Sequence, residues 1–236
     1  MVTPNAGWRK RCWPRWLDAG NNRAHTARIV HMETRMHIHS NSFEHRHTLA
    51  AEFALGAEHG QNVGGNRNPH LAWDAAPAAT QSFALLCIDT DAPTDGGLVA
   101  DSATPIPVAH PRGDFVHWVV ANIPADVHEI AAGSCSHGLT ANGKPQGHDA
   151  GGLTGLNDYT GWFAGDAAMA GQYFGYDGPY PPPHDLRTHR YFFRIFALDV
   201  AALSLPTAFT AADVLRAMRG HVLDEAAIYA TYSLNS

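Results

Sequence analysis

The sequence predicts a single domain dominated by β-structure, with one convincing helix near its end. Three observations carry this: strand signals fill the body, only one segment has both the start and the stop signals of a helix, and no linker separates two cores.

The first strong strand is "SFALLCID" (82–89), a mostly apolar run bounded by Thr80 and by "TDAPTDGG". The second, "FVHWVVANI" (115–123), stops at Pro124, which has no N–H to give to a ladder. The third, "RYFFRIFAL" (190–198), puts aromatics on both faces, as a strand inside a packed sandwich does. Weaker strand candidates are 48–54, "HLAW" (70–73) and "AAIYATYSL" (226–234). The helix starts at Thr210, a good N-cap; Asp213 occupies the acidic position of a capping box and Gly220 is a natural stop. Val214, Leu215 and Met218 are expected on its apolar face. "ADVHEIA" (125–131) reads as a short turn. Between Ala131 and Gly178 lie twelve of the 22 glycines without a sustained period, a stretch expected to be functional or mobile.

At 236 residues, 45% hydrophobic and 16% charged, the chain has the composition of a folded core and not of a disordered segment. Its net charge of −6 is unevenly spread: residues 1–35 hold seven Lys/Arg and two acids, and the remainder holds nine against twenty. A body this acidic is a poor surface for nucleic acid. Residues 1–35 contain no apolar run of seven and so no secretory signal; they are expected to be a disordered extension or to follow an upstream start, with Met36 opening the 36–236 domain. No stretch approaches the ~18 apolar residues of a membrane span. Cys12, Cys87 and Cys135 form no CxxC pair and are odd in number, which favours a reducing, cytoplasmic setting, with Cys87 as a buried thiol.

The polar residues of the three strong strands converge. Asp89 and Asp91 end the first, His117 begins the second, and His189 and Tyr191 begin the third. If the first strand pairs antiparallel with both others, these ends share one sheet edge. Beside it runs "GYDGPYPPPHDLRTHRYFFR" (175–194), whose four prolines hold the backbone extended. A carboxylate beside imidazole raises the ring's pKa, and histidinium, phenol and loop N–H groups then donate to an anion. Each charge-assisted bond contributes roughly 1.5–3 kcal/mol. The aspartate would repel a lone dianion, so a ligand with a cationic or hydroxylated arm fits better.

These residues and their order resemble the phosphatidylethanolamine-binding proteins, in particular the bacterial YbhB/YbcL, or Raf kinase inhibitor-like, branch. The resemblance rests on "SFALLCIDTDAPT", "FVHWVVANIPADVHEI", "GLND", "GYDGPYPPP…HRYFFRIFALD" and "LRAMRGHVLDEAAIYATYS", and covers residues 36–236. It implies an all-β dominated fold, a β-sandwich of two antiparallel sheets with a few peripheral helices, and a pocket at one sheet end for phosphate-like anions such as a phosphoethanolamine head group. Carried over by motif, the pocket is lined by Asp89, Asp91, Ala92, Pro93, His117, Pro179, His189 and Tyr191. It also implies a homodimer, as relatives of this branch often pair. The chain departs from the pattern in three places. Thr90 replaces the proline of D-P-D-A-P, residues 96–114 are longer than a tight connection needs, and "PPPHDLRTHR" brings His184 and Arg187 to the rim.

Two other functions compete with ligand binding. By analogy with relatives, the domain could restrain a kinase or protease, though fold alone does not fix that. A hydrolase-like enzyme could use Asp89, His117 and His189 as acid and base. Against catalysis and cofactors, the chain has no G-x-S-x-G elbow ("GSCSHG", 133–138, misses the spacing), no HExxH, no P-loop and no dinucleotide fingerprint. Its sixteen histidines, four of them in "HIHSNSFEHRH" (37–47), are read as surface residues and not as metal ligands.

Overall fold

The computed structural model describes residues 35–57 and 62–235, and strands carry most of them. In chain order the strands are β1 (His37–His39), β2 (Gly56–Ala57), β3 (Asn62–Val63), β4 (Leu71–Asp74), β5 (Ser82–Pro93), β6 (Arg112–Pro124) and β7 (Glu129–Ile130). They continue with β8 (His148–Asp149), β9 (Gly152–Thr154), β10 (His189–Leu198) and β11 (Val222–Tyr232). Three short helices are interspersed: α1 (Gly96–Ala100), α2 (Tyr159–Trp162) and α3 (Ala211–Ala217). The expectation for residues 1–35 falls, apart from Arg35, outside the described residues.

Six strands form the main sheet in the order β11-β10-β5-β6-β9-β8, while β1-β4-β7 and β2-β3 make two smaller sheets. All named pairs are antiparallel. Period-two alternation in β5 explains why the main sheet is buried on both faces. Phe83, Leu85 and Cys87 join Trp118, Phe193 and Ile195 against Leu71 and Trp73 of β4, which gives the sandwich its core. Ala84, Leu86 and Ile88 face the other way, onto Phe209 and onto Val214 and Met218 at α3. Cys87 is a buried free thiol.

The weak signals fared unevenly. Residues 48–54 are not a strand: Ala51–Phe53 forms a 3-10 turn in a run of helix formers, and only Thr48 bridges to β11. "ADVHEIA" is more than a turn, since Glu129 and Ile130 pair with β4. β11 starts at Val222, earlier than expected, because β10 offers it partners down to Leu198. α3 has the reciprocal Thr210–Asp213 capping box, but Leu215 is exposed. Successive helical residues point about 100° apart, so of the three expected residues Val214 and Met218, four apart, share the buried face, together with Ala211.

The glycine-rich 131–178 segment is tied down by side chains. Asn157 Nδ2 donates to Gly175 O at 3.0 Å and to Asp177 Oδ2 at 2.7 Å. Asn66 Nδ2 donates to Asp177 Oδ1, and Gly178 N–H donates back to Asn66 Oδ1, both at 2.8 Å. Gly178 has a steric reason to be glycine, since a Cβ there would sit 2.2 Å from Phe53 O.

Candidate ligand-binding site

β5 lies between β10 and β6, and Asp89 is in register with Tyr191 on one side and Phe115 on the other. The antiparallel pairing expected from the order of the strands therefore brings the three strand ends to one edge. A cavity of about 410 Å³ opens there. Asp89, His117, His189 and Tyr191 line it, with Ala92 and Pro93 from the end of β5. Phe115, Tyr159, Trp162 and Phe163 make an aromatic wall. Tyr180, Pro181, Pro182, Pro183 and His184 form the lip, and Val99 and Ser102 come from the long 94–111 connection.

Two irregularities in the β5–β6 register shape the site. One, between Cys87/Ile88, leaves His117 outside the paired ladder between Val116 and Trp118. A bulge of this kind re-aims a side chain. The second lies between Asp89 and Ala92 and breaks the alternation that would put Asp89 and Asp91 on the same face.

Asp91 accordingly does not line the cavity. Its carboxylate accepts from Arg190 Nε at 2.7 Å, from Arg190 N–H at 3.1 Å and from Arg187 at 2.7 Å. Burial alone would raise its pKa, but the Arg190 and Arg187 bonds outweigh that and hold it below the usual carboxylate range. Pro179 is a second correction: it is not among the lining residues, and its carbonyl accepts from the Leu55 and Gly56 N–H groups at 2.9 and 3.0 Å. It anchors the lip from behind.

The expectation that His189 donates to a ligand also changes. Its Nδ1 donates to Asp89 Oδ2 at 2.7 Å and its Nε2 to Asp185 Oδ2 at 3.0 Å. Burial works against the charged ring, but the Asp185 and Asp89 bonds prevail and push its pKa up to about 9. Asp185 in turn takes both arms of Arg112, the Nη2 contact at 3.0 Å, and is held well below the usual carboxylate range despite its burial. Sequence reasoning missed Asp185 and Arg112. The available signal was the four-residue spacing of Asp185 to His189 within the proline loop.

His117 differs in kind. Its Nδ1 donates to the Asp177 carbonyl at 2.8 Å, so Nε2 is the nitrogen left for the cavity. The ring is 2% exposed and packs edge-on to Tyr191 and Tyr159. Burial pushes its pKa below the usual histidine value, and the opposing pull of Asp89 is weaker. The Tyr191 hydroxyl is buried beside the Asp89 carboxylate and makes no well-aligned hydrogen bond among the described residues. Burial, with the Asp89 charge nearby, pushes its pKa well up, so it keeps its proton.

His184, from the lengthened loop, ties the lip to the other lengthened loop: its Nε2 donates to Leu98 O at 3.1 Å, and Ile106 N–H donates to His184 O at 2.9 Å.

Residues 39–233 match the family model described as phosphatidylethanolamine-binding protein. The chain belongs to that family. It is similar to a UPF0098 protein of Methanothermobacter thermautotrophicus, 30% identical over 197 residues that cover 84% of this chain and 98% of the relative. It is also similar to the UPF0098 protein YbhB of Escherichia coli, 34% identical over 170 residues, 72% of this chain and 84% of that one. Among solved structures, Escherichia coli YbcL, described as a new member of the mammalian PEBP family, superposes with a TM-score of 0.61 at 24% identity. The match covers 85% of this chain and 99% of YbcL, and it shows the shared fold.

Proposed function

We propose that the cavity captures a small anionic or phosphorylated molecule without carrying out chemistry on it. The head of the ligand sits at Tyr191 and His117, and the rest lies against the aromatic wall. The observation that carries this reading is the Tyr191 hydroxyl, a protonated donor lining the cavity whose neighbouring acceptor, the Asp89 carboxylate, makes no well-aligned hydrogen bond with it among the described residues. An unsatisfied buried polar group costs about 1–3 kcal/mol, which a ligand oxygen at that position recovers. The family description, which names a phospholipid with a phosphoethanolamine head, supports the same chemistry.

The rigidity of the floor supports binding over catalysis. Both nitrogens of a protonated His189 are committed to carboxylates, so it has no lone pair with which to act as a base. The cavity volume of about 410 Å³ exceeds what a bare phosphate fills and falls in the range of small-molecule pockets.

Calorimetric titration with inorganic phosphate, phosphoethanolamine and acetate tests this on wild type and Tyr191→Phe. The substitution is expected to weaken phosphoethanolamine about tenfold, equivalent to roughly 1.4 kcal/mol, while leaving stability to denaturant unchanged or slightly higher. Equal affinity in the two proteins rules out the hydroxyl as the ligand's partner.

A further inference from the structure

We infer that an anion enters this cavity together with one proton, taken from solution by Nε2 of His117. The inference rests on the cavity being an anion site and concerns how that site is regulated.

The argument counts donors. The oxygens of a fully deprotonated anion such as sulfate offer lone pairs only and need N–H or O–H groups facing them. On the floor, Asp89 can only accept. His189 has spent Nδ1–H on Asp89 and Nε2–H on Asp185. His117 has spent Nδ1–H on the Asp177 carbonyl. That leaves the Tyr191 hydroxyl, itself close to the Asp89 carboxylate, as the one remaining donor on the floor, beside an Nε2 that bears a lone pair while the ring is neutral. A neutral His117 thus faces an anion as a second acceptor and opposes it. One proton turns that acceptor into a charged donor without moving any atom of the scaffold.

The neighbours of His117 keep the empty ring neutral yet ready to charge. Asp89 faces it from β5, Tyr191 and His189 from β10, Tyr159 from α2, Asp158 from the residue before α2, and Asp177 from the loop before the lip. The three aspartates pull the pKa up, but burial outweighs them, in keeping with a ring enclosed by Phe115, Tyr159 and Tyr191. An anion in contact with Nε2 adds the missing opposite charge. His189 is already protonated at neutral pH and has no part in the uptake.

The test is calorimetry with sulfate, which has no proton of its own to give near neutral pH, in several buffers of different ionisation heat. The dependence of the observed heat on the buffer counts the protons exchanged. Wild type is expected to take up about one proton per sulfate near pH 7, where the empty ring is already neutral, with affinity falling about tenfold per pH unit there. His117→Asn should bind with no uptake and a flat pH profile. Should that variant fail to fold, the ring-nitrogen NMR shifts of His117 in wild type answer the same question: sulfate should move Nε2 from an imine-like to an imidazolium-like shift. Sulfate binding without uptake, or an unmoved Nε2 shift in the complex, overturns this inference alone. Absence of binding by sulfate, phosphate and phosphoethanolamine at every pH overturns the anion-site reading beneath it.

Discussion

Asp89, His189, Asp185 and Arg112 form a chain of alternating charge, in which the Asp185 carboxylate is shared and the imidazolium is 1% exposed. Its two inner members make stability depend on pH in opposite directions. His189 holds its proton up to about pH 9 when folded, against roughly 6.5 for an unperturbed ring. Its contribution is therefore fully present below about pH 6.5 and is lost as pH rises through about 9. Asp185 is depressed, so its contribution is present above about pH 3.9 and fades as pH falls toward its lower native value. Denaturant unfolding followed from about pH 6 to pH 10 should show wild type losing stability across the alkaline half. His189→Gln should start lower and lose less. Parallel curves would mean that the ring is not clasped by its carboxylates. The sequence made the Asp89–His189 pairing legible because strong strands fixed both ends. It hid Asp185, because a loop residue's direction depends on backbone geometry that composition does not encode.

At the scale of elements, the informative errors come from single-residue irregularities. A strand of twelve residues announces itself by its apolar run, but a bulge changes no hydrophobic pattern while reversing which face a side chain takes. Asp91 is the case in point: the family motif put it in the pocket, where regular alternation would have kept it beside Asp89, and the shift before Ala92 gave it to Arg187 and Arg190. α3 was legible for the opposite reason, since a capping box is contiguous in sequence and needs no tertiary information. Asp91→Asn should accordingly act on stability and not on the cavity. We expect a loss of about 2 kcal/mol. That is less than for a fully buried pair, because Arg190 and Arg187 keep 45% and 32% of their side-chain exposure and regain water. Phosphoethanolamine affinity should stay within about threefold of wild type. A loss of affinity out of proportion to the loss of stability would put Asp91 back among the ligand's contacts.

For the whole molecule, the main sheet was readable at its centre because β5 is covered on both faces, which makes that strand almost uniformly apolar. The 131–178 segment was not readable, because Asn66, Asn157 and Asp177 order it through side-chain bonds that lie far apart in sequence. Charge distribution separates two ways of taking up an anion. The chain carries −6 overall, so a buried floor binds an anion against a repulsive field that salt screens. Capture by the partly exposed guanidinium groups of Arg187 and Arg190 would instead be an attraction that salt weakens. Raising ionic strength from about 10 mM to 150 mM shortens the screening length from about 30 Å to 8 Å. Over that interval phosphate affinity should hold steady or tighten slightly, and Arg187→Gln should change neither the affinity nor its salt dependence. A tenfold weakening with salt that disappears in Arg187→Gln would assign capture to the guanidinium surface outside the cavity. The aromatic wall and the Tyr191 hydroxyl would then have no anionic head to hold.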